Sequence, residues 1–78
     1  KLTYAYADGK SYVVDASIAQ LEERHAGFVR IHRATLVRLA AIAELHAAPD
    51  GTRIRLTDGT ELAVARERVK ALKERLGL

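Results

Sequence analysis

The chain contains no cysteine, methionine or tryptophan. It has one proline, and its only aromatic residues are three tyrosines and one phenylalanine. Without cysteine, neither disulfides nor a thiolate metal site can compensate for a small core. No apolar run approaches the roughly 20 residues that a membrane-spanning helix needs, and no signal-like segment opens the sequence. These absences exclude a disulfide-rich secreted domain and an integral membrane protein, and they predict a cytoplasmic protein.

A length of 78 residues leaves room for one domain. A chain of this size buries only about 60% of the surface that its unfolded form exposes, so we expect a small core and marginal stability. Hydrophobic residues make up 49% of the chain and charged residues 29%, a balance that is typical of globular proteins and not of disordered ones.

Asp-Gly pairs at residues 8–9, 50–51 and 58–59 divide much of the chain into short segments of alternating or apolar character. Such pairs between alternating segments are a strong hairpin signal. We therefore predict a mainly β fold of small antiparallel sheets built from Asp-Gly hairpins, with one short helix after the first hairpin and one C-terminal helix.

Side-chain parity predicts the register of the last hairpin. A two-residue loop would pair Leu56 with Glu61 and put an acid on the core side. A three-residue loop over Thr57–Gly59, with glycine in a left-handed bulge position, pairs Leu56 with Thr60 and Ile54 with Leu62. We predict the three-residue loop.

The same loop length in the first hairpin pairs Tyr4 with Tyr12. These tyrosines then share a face with Leu2 and Val14, which favours core packing. Exposed tyrosines on a sheet would instead suit a binder of RNA or single-stranded DNA, and this alternative stays open.

Two helices are predicted, at about Ser17 to His25 and about Arg66 to Leu76. The first begins with a capping-box pattern, Ser17 and Gln20, and ends before Gly27. The second has an inward stripe of Val69, Leu72 and Leu76. Neither helix has a cluster of base-reading side chains on one exposed face, which disfavours a helix-turn-helix.

Positive charge is concentrated in the centre of the chain, although the net charge is only +3. No acid lies between Arg24 and Glu44, whereas this window contains four arginines and two histidines. The acids lie in the predicted turns and helices. This distribution leaves a basic edge that phosphates can neutralise, or else a solvated strand face.

Arg33 and Arg66 stand at or just past the ends of alternating segments, where a long cation can reach a polyanion. An arginine fork matches guanine O6 and N7 in the major groove, or clamps a phosphate. By alternation Arg30 points away from the core, towards a phosphate or a neighbouring acid, and we leave both interpretations open. Further phosphate contacts are predicted at Arg38, Arg68 and Lys70, whereas Arg53 and Arg55 are expected on a solvent face.

Five segments of the sequence resemble the LytTR-type DNA-binding domain. Members of that family typically read F-V-R-I-H-R-S, L-V-N, D-G, P-V-S-R and L-K-x-L over the same spacing. The matching segments here are Phe28-Val29-Arg30-Ile31-His32-Arg33, Leu36-Val37, Asp58-Gly59, Leu62-Ala63-Val64-Ala65-Arg66 and Val69-Lys70-Ala71-Leu72. The resemblance covers nearly the whole chain.

The resemblance implies an output domain of a bacterial transcriptional response regulator in a two-component system. Family members often bind tandem direct repeats in double-stranded DNA and insert loop residues into successive major grooves along one side of the duplex. The matching basic positions are Lys1, Arg33 and Arg66. Because the sequence opens within an apparent strand, we expect residues 1–78 to be a single domain that is a fragment lacking its leading strands and any N-terminal receiver domain.

The sequence departs from the family pattern at Ala34 and Ala65, where the family usually has serine, and at Arg38, where asparagine is common. Ala65 removes the hydroxyl that would cap the last helix. With several phosphate contacts and a small surface, one copy should bind weakly, so we expect two copies on adjacent sites, as in a homodimer on DNA.

Catalysis and metal binding find little support in the sequence. His25, His32 and His46 lack ligand spacing, and no nucleophilic triad or Gly-rich phosphate loop is present. We predict no enzymatic activity, no cofactor, no metal, no small-molecule substrate and no membrane partner. A protein-interaction or dimerisation module remains the other alternative.

Overall fold

The computed structural model describes residues 2–7 and 9–78. Seven strands and two α-helices make up this part of the chain, with short 3₁₀ turns at Leu39–Ala41 and Arg66–Arg68. In chain order the elements are β1 (Thr3–Ala7), β2 (Lys10–Val14), α1 (Ile18–Arg24), β3 (Phe28–His32), β4 (Thr35–Arg38), β5 (Ile42–Ala48), β6 (Gly51–Leu56), β7 (Glu61–Ala63) and α2 (Val69–Leu76).

The strands form two small sheets, in the orders β2-β1-β4-β3 and β5-β6-β7. The mainly β fold, the short helix after the first hairpin and the C-terminal helix are therefore confirmed. One pairing differs from the antiparallel expectation, because β1 and β4 are parallel, with Ala5 opposite Leu36. Hairpin signals report only neighbouring strands, so they carry no information about this pairing across α1 and β3.

The core lies between the two sheets and α2. Alternate residues of β3, β6 and the segment after β7 point into it, as strand geometry requires. Leu72 closes the core from α2 and is fully buried, and Val69 and Leu76 pack beside it as predicted. The buried cluster consists of Val29, Ile31, Val37, Ile54, Leu56, Val64 and Leu72.

The register of the last hairpin is confirmed. Ile54 pairs with Leu62, and the Leu56 N–H donates to the Thr60 carbonyl at 2.7 Å. Gly59 has a φ of +92°, a left-handed conformation that favours glycine. The Asp58 carboxylate accepts a hydrogen bond from the Thr60 N–H at 2.9 Å, which lowers the pKa of Asp58.

The predicted register of the first hairpin is wrong. Tyr4 pairs with Val13 and not with Tyr12, because Ala7 opposite Lys10 leaves only two residues in the loop. A shift of one residue moves a side chain to the other face, so Tyr4 and Tyr12 lie on opposite faces. They are 42% and 47% exposed, so the predicted core packing of these two tyrosines is wrong too. Asp8 of the predicted turn lies outside the described residues.

Both helices lie close to their predicted positions. Ser17 precedes α1 but makes no side-chain cap hydrogen bond, so the capping-box pattern does not form a box. The Thr3 hydroxyl on β1 donates to the carbonyl of Ala16, just before α1, at 2.9 Å. The predicted second helix starts as a 3₁₀ turn at Arg66 and continues as α2 to Leu76.

Candidate nucleic-acid interface

The turn between β3 and β4 exposes Arg33. Buried Val29 and Ile31 anchor β3, and the register shifts between Arg30 and His32 in a β-bulge. His32 then pairs with Thr35, so the chain reverses over Arg33 and Ala34. Bulges increase twist and re-aim side chains, and this one lies next to the residue with the predicted DNA contact.

Arg30 binds the backbone of this same turn. Its Nε donates to the His32 carbonyl at 3.3 Å, and its Nη2 donates to the Arg33 carbonyl at 3.2 Å. The sequence suggested a phosphate or an acid as the partner of Arg30. Carbonyl groups of a turn leave no signature in side-chain pattern, so sequence reasoning missed this contact.

Arg66 lies beside the same end of β3. The edge strand β3 accepts a hydrogen bond at the Ile31 carbonyl from the Ala65 N–H, at 2.8 Å. Ile31 is two residues before Arg33, and Ala65 directly precedes Arg66. The Cα atoms of Arg33 and Arg66 therefore lie within about 17 Å of each other, from the reach of the chain and the span of one backbone hydrogen bond.

A second contact fixes the direction of α2. The Arg75 Nη2 near the end of α2 donates to the Ala26 carbonyl just before β3, at 2.6 Å. Ala65, which directly precedes the 3₁₀–α2 segment, contacts Ile31, and Arg75 near the end of the segment contacts Ala26. The segment therefore runs antiparallel to β3. Sequence periodicity predicted the inward stripe of α2 but not its direction over the sheet.

The other predicted basic residues divide between the two ends of β3. Arg68 is half-buried and Lys70 is exposed, and both follow Arg66 at the start of the 3₁₀–α2 segment. Arg38 pairs with Phe28, at the opposite end of the β3–β4 hairpin from Arg33, and it has an interaction of its own. Lys1 lies outside the described residues. The structure thus brings together Arg33, Arg66 and the residues that follow Arg66, but not Arg38.

The guanidinium groups of Arg33 and Arg66 are exposed and make no hydrogen bond or ion pair within residues 2–7 and 9–78. An unpaired arginine keeps its five donors for an external acceptor. These two groups can therefore bind a phosphate or a guanine edge without first breaking an internal contact.

The solvent face of the second sheet is different, because its arginines face acids on neighbouring strands. The Arg55 Nη2 lies 2.8 Å from the Glu44 Oε2 on β5, and the Arg53 Nε lies 3.5 Å from the Glu61 Oε1 on β7. Arg53 also contacts the Asp50 carboxylate at 3.4 Å. The predicted solvent-facing position of Arg53 and Arg55 agrees with these contacts.

The pKa values on this face follow from the pairing. A hydrogen bond from Arg55, together with its positive charge, lowers the pKa of Glu44, and the reciprocal contact raises the pKa of Arg55. His46 lies 3.8 Å from both Glu44 and Glu61. The face is thus a network of opposite charges with little left to offer a polyanion.

Other kinds of site find no support in the part of the chain that the structure describes. It contains no group of three or more histidine, cysteine, aspartate or glutamate side chains arranged to hold a metal ion. None of its helices has the length and apolar character needed to cross a bilayer. Tyr4 and Tyr12 form no shared stacking platform, because they lie on opposite faces of the first sheet.

Comparison with known proteins identifies the family. No curated protein and no solved structure matches the sequence. The family model of the LytTr DNA-binding domain matches residues 1–77, essentially the whole chain. This family is one of DNA-binding domains and not of enzymes. The chain belongs to the LytTr DNA-binding domain family.

Proposed function

We propose that the chain binds double-stranded DNA with sequence specificity, as the output domain of a cytoplasmic bacterial transcriptional response regulator. Arg33 and Arg66 reach base edges in the major groove. Arg68 and Lys70 contact DNA phosphates beside Arg66, and Arg38 contacts the DNA backbone from the far end of β3. Lys1 is a further basic position that the family resemblance favours.

The observation that carries this proposal is the hydrogen bond from the Ala65 N–H to the Ile31 carbonyl. It joins the segment that leads into Arg66 to the strand that leads into Arg33. Both guanidinium groups are exposed and without an internal partner in the described part of the chain. Two unpaired forks beside the same end of β3 suit bidentate recognition of bases or phosphates.

The separation of these arginines limits where they act on DNA. Successive major grooves on one side of a duplex are about 34 Å apart. Cα atoms within about 17 Å of each other, even with two extended arginine side chains added, keep the two guanidinium groups within about that spacing. We therefore propose that the base positions read by Arg33 and Arg66 lie within one helical turn.

Affinity from one copy is expected to be low, because a single small module makes few contacts. Two copies on adjacent direct repeats, as a homodimer on DNA, would raise the affinity through effective concentration without any new contact. Binding to duplexes with one and with two copies of the selected site measures this gain.

The test is a selection from random-sequence duplexes, followed by Arg33→Ala and Arg66→Ala. Each substitution should relax base preference at its own position, at a cost of about 1–3 kcal/mol for a lost bidentate contact. Arg53→Ala is the matched control, because it removes an arginine that is already paired with Asp50 and Glu61. The control should leave base preference unchanged.

Three outcomes would contradict the proposal. Equal weakening on all sequences would make Arg33 and Arg66 backbone contacts. Stronger binding to single-stranded DNA or RNA than to duplex would favour a single-strand or RNA binder. Absence of binding to any nucleic acid at two salt concentrations would favour a protein-interaction module.

A further inference from the structure

We propose that Arg30 is a positioning residue that holds the β3–β4 turn in the conformation in which Arg33 reads DNA. This inference rests on the proposed function of Arg33. It assigns to Arg30 a role other than contact with a phosphate or with an acid.

The geometry of Arg30 supports this role. Its Nε and Nη2 atoms donate to two carbonyls of one turn, those of His32 and Arg33, at 3.3 Å and 3.2 Å. A guanidinium can donate two N–H groups from one rigid edge, so it fixes the relative orientation of both carbonyls. The second of these carbonyls belongs to Arg33 itself, so the contact acts directly on the residue that carries the proposed base contact.

Arg30 lies where β3 leaves its regular register. The bulge between Arg30 and His32 interrupts the ladder just before the turn, and His32 then pairs with Thr35 across the turn. The Ala65 N–H holds the Ile31 carbonyl, and Arg30 holds the next two carbonyls along the chain. All three successive carbonyls from Ile31 to Arg33 therefore have a donor.

Arg30 has little freedom to act as a phosphate clamp in this arrangement. The edge formed by Nε and Nη2 is one of the two through which a guanidinium holds an oxyanion bidentately, and it faces the turn. No acid lies between Arg24 and Glu44, and no ion pair of Arg30 is present within residues 2–7 and 9–78. The backbone of the turn is the contact that the side chain makes.

The first experiment uses the free protein, so it does not depend on DNA binding. Amide ¹⁵N relaxation is compared for the unmodified chain, Arg30→Ala and Arg30→Lys. Arg30→Ala should lower the order parameters of the Arg33 and Ala34 amides towards the range of flexible backbone, below about 0.6. A lysine has no planar fork, so Arg30→Lys should keep the positive charge and still lower the order parameters of the turn. Unchanged order parameters in both variants would overturn the proposal.

The second experiment separates positioning from phosphate contact, using the selected duplex at several salt concentrations. Arg30→Ala should reduce the preference at the base position read by Arg33 by roughly threefold to tenfold, the effect of a lost hydrogen bond. The slope of log affinity against log salt should stay unchanged, whereas a lost phosphate contact makes this negative slope shallower by about 0.9. A shallower slope of log affinity against log salt, with intact base preference, would overturn the proposal.

A double-mutant cycle distinguishes this inference from the proposed function. If Arg30 acts through Arg33, adding Arg30→Ala to Arg33→Ala should have no further effect on base preference. Full additivity would overturn the positioning role while leaving DNA binding by Arg33 intact. If the unmodified chain binds no duplex, the proposed function fails, and the relaxation experiment still tests whether Arg30 orders the turn.

Discussion

Four arginines of this small protein differ in what surrounds them. Arg53 and Arg55 lie within β6, the central strand of its sheet, and each faces a carboxylate on a neighbouring strand. Arg33 lies in a turn and Arg66 begins a 3₁₀ turn, and neither has an internal partner within the described residues. All four follow or belong to strands of alternating character, so alternation alone does not distinguish them.

The difference follows from the geometry of sheets. A residue in a central strand has a cross-strand neighbour on each side, and opposite charges at these positions stabilise the pair. A residue at a turn or strand end has fewer such neighbours, so its charge remains available to an external ligand. The location of an arginine relative to strand ends is therefore more informative about DNA binding than the net charge of +3.

The comparison between the paired arginines of β6 and the unpaired Arg33 and Arg66 depends on α2, which holds Arg66 beside β3. Leu72→Ala should therefore have the largest effect, because Leu72 is fully buried between the helix and both sheets. Truncation of a buried leucine costs about 2–5 kcal/mol, against a total stability of roughly 4–12 kcal/mol for a domain of this length. Chemical denaturation monitored by circular dichroism measures the loss.

Leu78→Ala is the control for this prediction, because Leu78 is 76% exposed. Its effect should stay within about 0.5 kcal/mol. DNA affinity of Leu72→Ala should fall in parallel with its folded fraction. Equal stability of the two variants would mean that α2 does not hold the core together.

How much of this arrangement the sequence could predict depended on how local each signal was. The three-residue loop at Asp58-Gly59 was predictable because Ile54, Leu56 and Leu62 must share a buried face. The first hairpin was not, because apolar and small residues on both faces of β1 and β2 leave two registers compatible with the pattern. A register is poorly specified where neither face is distinctly polar.

The placement of the candidate site was predictable to a similar degree. Strand-end positions and motif resemblance indicated Arg33 and Arg66 as a pair. The contacts that bring them together, from Ala65 to Ile31 and from Arg75 to Ala26, use backbone carbonyls. Every residue has such a carbonyl, so the sequence could not indicate which ones would be used.

A smaller effect is expected from Ala65→Ser, which sharpens the position of Arg66. Ala65 precedes the 3₁₀ turn in an extended conformation and provides no side-chain cap. A serine hydroxyl there can accept a hydrogen bond from the N–H of Glu67, since Arg68 already donates to the Ala65 carbonyl. The gain should be about 1 kcal/mol, or roughly 4–8 °C in the melting temperature of a domain of this size.

Differential scanning calorimetry measures this shift, with Ala63→Ser as the control on an exposed strand position. DNA binding should become modestly tighter in Ala65→Ser, because the segment that carries Arg66 is better ordered. A melting curve that matches the unmodified chain would show that the 3₁₀ turn is capped in another way.

The smallest effect is expected from Glu44→Gln, which removes the carboxylate that faces Arg55. If pairing alone kept Arg55 from DNA, this substitution would create a new phosphate contact and steepen the salt dependence of duplex binding by about 0.9. We expect no such change, because Arg55 lies on the solvent face of β6 and not at the end of β3 that carries Arg33. A steeper slope would show that an arginine within a strand also binds DNA once its acid is removed, so position relative to the strand end would not explain the difference.

The same variant gives a pH test of the ion pair. Arg55 lowers the pKa of Glu44 below its ordinary value of 4.5, so the pair stabilises the folded state above that pH and stops doing so as the carboxylate becomes protonated. The melting temperature of the unmodified chain should exceed that of Glu44→Gln slightly at about pH 7, and the difference should shrink as the pH falls through the lowered pKa of Glu44. Glu23→Gln, at an exposed position on α1, is the control. A difference that does not depend on pH would mean that the contact between Glu44 and Arg55 contributes nothing as an ion pair.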